Sequence, residues 1–215
     1  MPRFSLSDAA KLAEASYTPA NITSPRIIDR LQDGSDVDAM VLEGGTLLLP
    51  GSNSLNDYVK FNLRVFNVGN TRYRLDDPAT ERGASQTIWH QGFLSYAKHV
   101  FDWLGPRKPT YIIGHSLGAA AAQILCRTYL VPTIGFAAPR PKRVNGPVKS
   151  DDLCLTVCRT DDLVVGLVPG FSRMGRECVV RPGHPSGVFP HAMRHYRTLL
   201  TEFAGNAAIP AQWPA

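Results

Sequence analysis

The chain has 215 residues, 44% of them apolar and 19% charged, with a net charge of +5 at pH 7. That length and apolar content suffice for one sizeable core, and nothing within residues 1–215 reads as a linker, so a single domain is expected. The charge is mild, its basic residues are not interleaved with aromatics, and no apolar run approaches the roughly eighteen residues of a membrane span, which argues against a nucleic-acid groove and an integral membrane protein.

The amino terminus carries Arg3 but no apolar signal core. Cys126, Cys154, Cys158 and Cys178 do not make a disulfide framework in a chain this size, and their spacing lacks the paired short loops that zinc prefers. They read as buried free thiols. Together these features predict a cytoplasmic address.

Residues 5–17 place Leu6, Ala9, Ala10, Leu12, Ala13 and Tyr17 at helical spacing, and Pro19 ends that helix. A short second helix is predicted over 25–31, stopped at Asp33-Gly34. The apolar runs 39–42 and 46–49 flank Gly44-Gly45 and predict a hairpin. Residues 63–68 predict a further strand, and the polar, turn-rich stretch 72–85 a surface loop. In 92–104, Phe93, Tyr96, Ala97, Val100, Phe101 and Leu104 recur at helical spacing. There follow strand 110–113, helix 117–130, and strands 132–137, 153–158 and 177–181. A last helix spans 191–204, and an irregular extension occupies 205–215. Strands alternating with helices through the middle predict an α/β chain with a mainly parallel sheet covered on both faces.

Gly114-His115-Ser116-Leu117-Gly118 sits between the strand 110–113 and the small-residue helix that begins at Leu117. Strand, sharp turn and helix is the context of a nucleophile elbow, in which the serine hydroxyl projects from the carboxyl edge of a sheet. A serine hydroxyl needs a base, commonly a histidine oriented by a buried carboxylate, and on this topology acid and base follow the serine in that order. Asp161 and Asp162 stand just past strand 153–158, at the edge where catalytic groups collect. Asp162 enters the apolar stretch Leu163-Val164-Val165 and is the better candidate, while Asp161 is expected to face solvent. Among the histidines after the elbow, His191 stands at a loop-to-helix junction and His195 one turn inside the helix, so His191 is preferred as base. The oxyanion of an acyl-transfer intermediate calls for two donors. The Leu117 N–H supplies one by position. The run from strand 46–49 into Gly51-Ser52 fits the other as well as it fits a plain turn.

At this point a family resemblance is plain. The chain resembles the class 3 lipases, α/β-hydrolases that include the filamentous-fungal triacylglycerol lipases, from about residue 5 to residue 200. Leu49-Pro50-Gly51-Ser52 stands where that family has Phe-Arg-Gly-Ser/Thr, and Asp57-Tyr58 is similar to its Asp-Trp. His90-Gln91-Gly92-Phe93 is similar to its His-x-Gly-Phe, and Gly114 to Gly118 is its Gly-His-Ser-Leu-Gly. Gly135-Phe136-Ala137-Ala138-Pro139-Arg140 resembles its Phe-Gly-x-Pro-Arg, Asp162-Leu163-Val164 is similar to its Asp-Ile-Val, and Val168-Pro169 resembles the proline-rich end of that loop. Gly175-Arg176-Glu177 resembles Gly-x-Glu, and His191-Ala192-Met193-Arg194-His195-Tyr196 resembles the ending of bacterial members.

The resemblance implies Ser116 as nucleophile, Asp162 as acid, His191 as base, and Ser52 with Leu117 as oxyanion hole. It implies a serine-dependent carboxylic-ester hydrolase of lipase or esterase type, needing neither metal nor organic cofactor. Thioesterase, phospholipase A1 and acyltransferase chemistry would use the same triad, and a non-catalytic lipid- or partner-binding module is the alternative of another class. In this family the segment after the oxyanion residue forms a lid. Here Leu55, Tyr58 and Val59 share a helical face that either packs inward or turns to a lipid surface. The expected partner is a small-molecule or lipid ester. Two departures stand out: Pro50 replaces the family's arginine, and the leader and disulfides of secreted fungal members are not evident.

Overall fold

A computed structural model of the chain describes residues 3–52, 65–143, 146–184 and 189–214. It opens with β1 (Phe4–Ser5) and α1 (Leu6–Ala15), the helix started by the Ser5 hydroxyl, which accepts from the Asp8 N–H. Next come β2 (Ile27–Gln32), β3 (Asp38–Leu42) and β4 (Thr46–Leu49), joined as antiparallel neighbours. Two small hairpins follow, β5 (Val65–Val68) with β6 (Thr71–Arg74), and β7 (Thr80–Arg82) with β8 (Ile88–His90). The remaining elements are α2 (Gln91–Leu104), β9 (Tyr111–His115), α3 (Leu117–Tyr129), β10 (Thr133–Phe136), β11 (Cys154–Arg159), β12 (Arg176–Val180), α4 (Met193–Glu202) and β13 (Gln212–Trp213).

Seven strands form one sheet in the order β12-β11-β10-β9-β4-β3-β2. The four pairings from β12 across to β4 are parallel and the two at the β2 edge antiparallel, so the sheet is mixed but mainly parallel. Alternating side chains explain its two covers. Val41, Leu47, Leu49 and Ile112 point to the face packed by Phe93, Tyr96 and Val100 of α2 and Ala120, Ala121 and Ile124 of α3. Met40, Leu42, Leu48, Tyr111 and Ile113 point to the other, packed by Leu6, Ala9 and Ala13 of α1 and Met193, Tyr196 and Leu199 of α4. Each such aliphatic side chain taken out of water contributes about 1.5–3 kcal/mol. This is an α/β-hydrolase architecture.

Three expectations from local pattern are corrected. Residues 27–32 form the sheet-edge strand β2, not a helix, because pairing with β3 overrides the local spacing. The 72–85 stretch is no plain loop: residues 71–74 and 80–82 belong to hairpins whose exposed strands carry polar side chains. The extension 205–215 ends in β13, which pairs antiparallel with β1, and the Tyr111 hydroxyl donates to the Trp213 carbonyl at 2.7 Å. All four cysteines are buried thiols.

The parallel strands matter most for function, because they deliver their carboxyl ends to one edge. β4 runs into Gly51-Ser52, β9 into Ser116, and β11 into Asp162. His191 enters the same edge from the segment between β12 and α4.

Candidate active site

The turn from β9 to α3 is set by sterics. A Cβ at Gly114 would lie 2.8 Å from the Ala119 Cα, and one at Gly118 would lie 2.1 Å from the Leu49 carbonyl oxygen. Only glycine lets the strand, the helix and the β4 exit pass this closely. Ser116 sits between them at φ 56° and ψ −124°, a region L-residues rarely occupy, and such strain costs on the order of 1–3 kcal/mol. Its backbone is held there, its N–H donating to the Phe136 carbonyl at 2.9 Å and its carbonyl accepting from the Ala119 N–H at 3.0 Å.

Around that serine the chain brings together the residues the sequence singles out. His191 Nε2 lies 2.8 Å from Ser116 Oγ, and His191 Nδ1 lies 2.8 Å from Asp162 Oδ2. Ser116, Asp162 and His191 are all buried. Asp162 begins a short helical turn over Leu163–Gly166, and its Oδ1 accepts from the Val164 N–H at 3.0 Å. Burial works to raise the Asp162 pKa. The charge and hydrogen bond of His191, the Tyr196 hydroxyl and the Val164 N–H outweigh it, so the carboxyl stays below its ordinary value. A carboxylate accepting at Nδ1 keeps the His191 proton there and leaves Nε2 free to accept from the serine.

Asp161 and His195 take other parts. Asp161 accepts two hydrogen bonds from the buried Arg159 guanidinium, at 3.0 and 2.9 Å, and Arg159 also donates to the His195 carbonyl at 3.0 Å. This clamp ties the end of β11 to the start of α4, next to Asp162 and His191. Its anchor is a guanidinium fork, which suits two-point carboxylate recognition.

Leu117 follows Ser116 at the start of α3, and Ser52 ends the run that leaves β4, the parallel neighbour of β9. The Leu117 N–H belongs to the first turn of α3, whose amides have no partner inside the helix and carry its positive end. The Ser52 hydroxyl donates to Asp36, a carboxylate that also accepts from the Asn67 N–H at 2.8 Å. Any donation from Ser52 towards the serine therefore falls to its backbone N–H, not to the hydroxyl. The segment holding Leu55, Tyr58 and Val59 lies outside the described residues. Among the described residues no group of three or more His, Cys, Asp or Glu side chains is placed to hold a metal ion, and none of their helices is long and apolar enough to cross a membrane.

The structure adds two features that residue-by-residue reading passes over. Tyr196 donates from its hydroxyl to Asp162 Oδ2 at 2.7 Å, beside the His191 bond. Its only signal in the sequence is its place five residues after His191, where it otherwise reads as core on the apolar side of a helix. The second feature is a pair, Tyr17 and His115. His115 Nε2 lies 3.0 Å from the His191 carbonyl oxygen, and Tyr17 sits against its other ring nitrogen. Nothing in the pattern of residues 5–17 marks Tyr17 as more than a helix-end aromatic.

Comparison with solved structures bears on the fold. Lip2 lipase from Yarrowia lipolytica shares the fold with a TM-score of 0.57 and 16% identity, over 79% of this chain and 77% of its own. Lipase II from Rhizopus niveus gives a TM-score of 0.59 and 18% identity, over 83% and 80%. Rhizomucor miehei lipase, in its propeptide complex, gives 0.55 and 19%, over 84% and 68%. No protein-family model and no curated protein sequence matches the chain. The likeness to fungal lipases is therefore one of three-dimensional structure, and the chain has the α/β-hydrolase fold that these lipases share.

Proposed function

We propose that the protein is a serine-dependent carboxylic-ester hydrolase of lipase or esterase type. The observation that carries this reading is one imidazole, His191, within 2.8 Å of both Ser116 Oγ and Asp162 Oδ2. Ser116 attacks the ester carbonyl as His191 Nε2 takes its proton. Asp162 holds the ring and stabilises the imidazolium that forms. The oxyanion is met by the backbone N–H groups of Leu117 and Ser52, each such donor being worth about 3 kcal/mol in the transition state. The imidazolium then protonates the departing alcohol and leaves an acyl group on Ser116. Water activated by the same ring releases the acid and restores the serine.

The structural neighbours are lipases by name, which supports esters of lipid acids as the substrate class. Four buried thiols support a reducing, cytoplasmic setting.

The test is hydrolysis of short p-nitrophenyl esters, with active-site labelling by a fluorophosphonate. Wild-type protein is expected to turn over and to be labelled at Ser116. Ser116→Ala is expected to lose at least about 10⁴-fold in kcat, by analogy with other triads. Undiminished turnover in that variant would refute the assignment. Parallel assays on glycerides, phospholipids and thioesters assign the leaving group.

A further inference from the structure

A hydrogen-bonded chain runs behind the triad and takes no part in the chemistry above. His115 Nε2 is 3.0 Å from the carbonyl oxygen of His191. A carbonyl can only accept, so the His115 proton sits on Nε2. Burial first, and the neighbouring His191 second, push the His115 pKa down to about 3, so the ring is neutral at working pH. Its Nδ1 is then a lone pair and must receive the proton of the Tyr17 hydroxyl, 2.5 Å away. The Tyr17 oxygen keeps its own lone pairs for the Gly51 N–H, which donates to it at 2.8 Å. The Tyr17 and His115 rings also meet edge to face, with centroids 5.6 Å apart.

Every donor and acceptor in this chain is thereby fixed, from the Gly51 N–H through the Tyr17 hydroxyl and the His115 ring to the His191 carbonyl. The residues at its joints are telling. Gly51 precedes Ser52, whose N–H is assigned to the oxyanion. His115 precedes the nucleophile. The far end is the peptide of the base itself. Its side-chain bonds join the Gly51-Ser52 loop, the elbow strand and the backbone of His191.

We propose that Tyr17 and His115 are positioning residues, whose relay holds the Gly51-Ser52 loop and the His191 backbone at a set separation across Ser116. The inference rests on the serine-hydrolase reading. Their part is to position the loop and the base, not to react. They act by keeping the oxyanion donors and the general base in register, so that both serve the same tetrahedral carbon. Loosening them acts on the transition state more than on substrate binding.

The experiment compares wild type, Tyr17→Phe, His115→Asn and the double variant on a p-nitrophenyl ester, with active sites counted by a fluorophosphonate. Phenylalanine keeps the ring against His115 and removes only the hydroxyl. Per counted site, Tyr17→Phe is expected to lower kcat about 30-fold and leave KM within about twofold, a fraction of the loss for deleting an oxyanion donor outright. Both single changes break one relay, so the double variant should be no worse than the poorer single. A purely structural role predicts a lower melting temperature with normal kcat per counted site. That result, or losses that multiply in the double variant, would overturn the relay. Tyr17→Phe decides the matter alone if His115→Asn does not fold. A wild-type protein without ester turnover would overturn the hydrolase reading and the relay together, whereas an active wild type with an unimpaired Tyr17→Phe overturns the relay only.

Discussion

Ser116 and His191, the proposed nucleophile and base, are held by different physics. Ser116 is fixed by the run of β9 into α3 and by two glycines whose added Cβ atoms would meet backbone, that of Ala119 at 2.8 Å and that of Leu49 at 2.1 Å. His191 and Asp162 lie 29 residues apart and are oriented by polar contacts, from the Val164 N–H, the Tyr196 hydroxyl and the His115 ring. Close packing of backbone cannot be adjusted a little, whereas a hydrogen bond can be removed with its surroundings intact. The two sides of the site should therefore fail in different ways, one by losing the fold and the other by losing rate.

The largest effect belongs to the polar side. Asp162→Asn keeps an oxygen for the Val164 N–H but turns an amide towards His191 Nδ1, which favours the wrong imidazole tautomer. We expect kcat on a short ester to fall about 10⁴-fold, roughly 5 kcal/mol of transition-state stabilisation, with the melting transition still cooperative. Steady-state kinetics and a thermal melt on one sample check both halves. Loss of the fold would break the distinction between the two sides.

Gly118→Ala tests the packed side. Its methyl group would meet the Leu49 and Pro50 carbonyl oxygens at 2.1 and 2.5 Å, both of them backbone, so the exit of β4 and the start of α3 must part. The cost should be about 3 kcal/mol of stability or more, read by urea unfolding. Any folded remainder should also be slow, because the Gly51-Ser52 loop moves with that exit. A variant of wild-type stability would show that this close approach can relax, and would remove the reason for a glycine here.

The same contrast explains what the sequence discloses. The elbow is local, so Gly114, Ser116, Leu117 and Gly118 are legible in one pentapeptide with its flanking periodicity. Asp162 and His191 are legible because sheet topology orders acid and base after the serine, and because the apolar run after Asp162 and the loop-to-helix junction at His191 favour them over Asp161 and His195. Residues 27–32 mislead, since an edge strand with mixed exposure carries no clean alternation, and its pairing with β3 is a long-range fact. The β6 and β7 hairpins mislead for the opposite reason: their strands are mostly exposed and their composition is that of a loop. Tyr17 is illegible because its meaning comes from a hydrogen bond to a residue 98 positions away. The Ser52 hydroxyl is illegible for the same reason, since only the fold reveals Asp36 as its acceptor.

His115 belongs to both sides, a residue of the packed strand that is bonded to the base, and its titration gives the smallest and sharpest test. In the unfolded chain it binds a proton near its ordinary value of 6.5. In the fold, burial and then the charge of His191 lower that to about 3. Between these values the unfolded state holds the extra proton, so stability rises with pH there. The contribution is complete above pH 6.5 and is lost as pH falls towards 3, with a slope of about 1.4 kcal/mol per pH unit. Asp162, also held low, adds its loss only below the ordinary carboxylate value of 3.8. Urea unfolding at several points from pH 7 down to pH 5 therefore weights the histidines, with Glu43, held below its ordinary 4.5, unchanged between variants. His115→Asn cannot take up that proton, and its curve should be flatter than wild type by about one proton's worth of slope. His90 and His195, also lowered by burial, remain in both proteins and cancel in the difference. Parallel curves would mean that His115 protonates as readily in the fold as out of it. Its ring would then carry no fixed proton order, and the bond from the elbow to the base would be an incidental contact of packing.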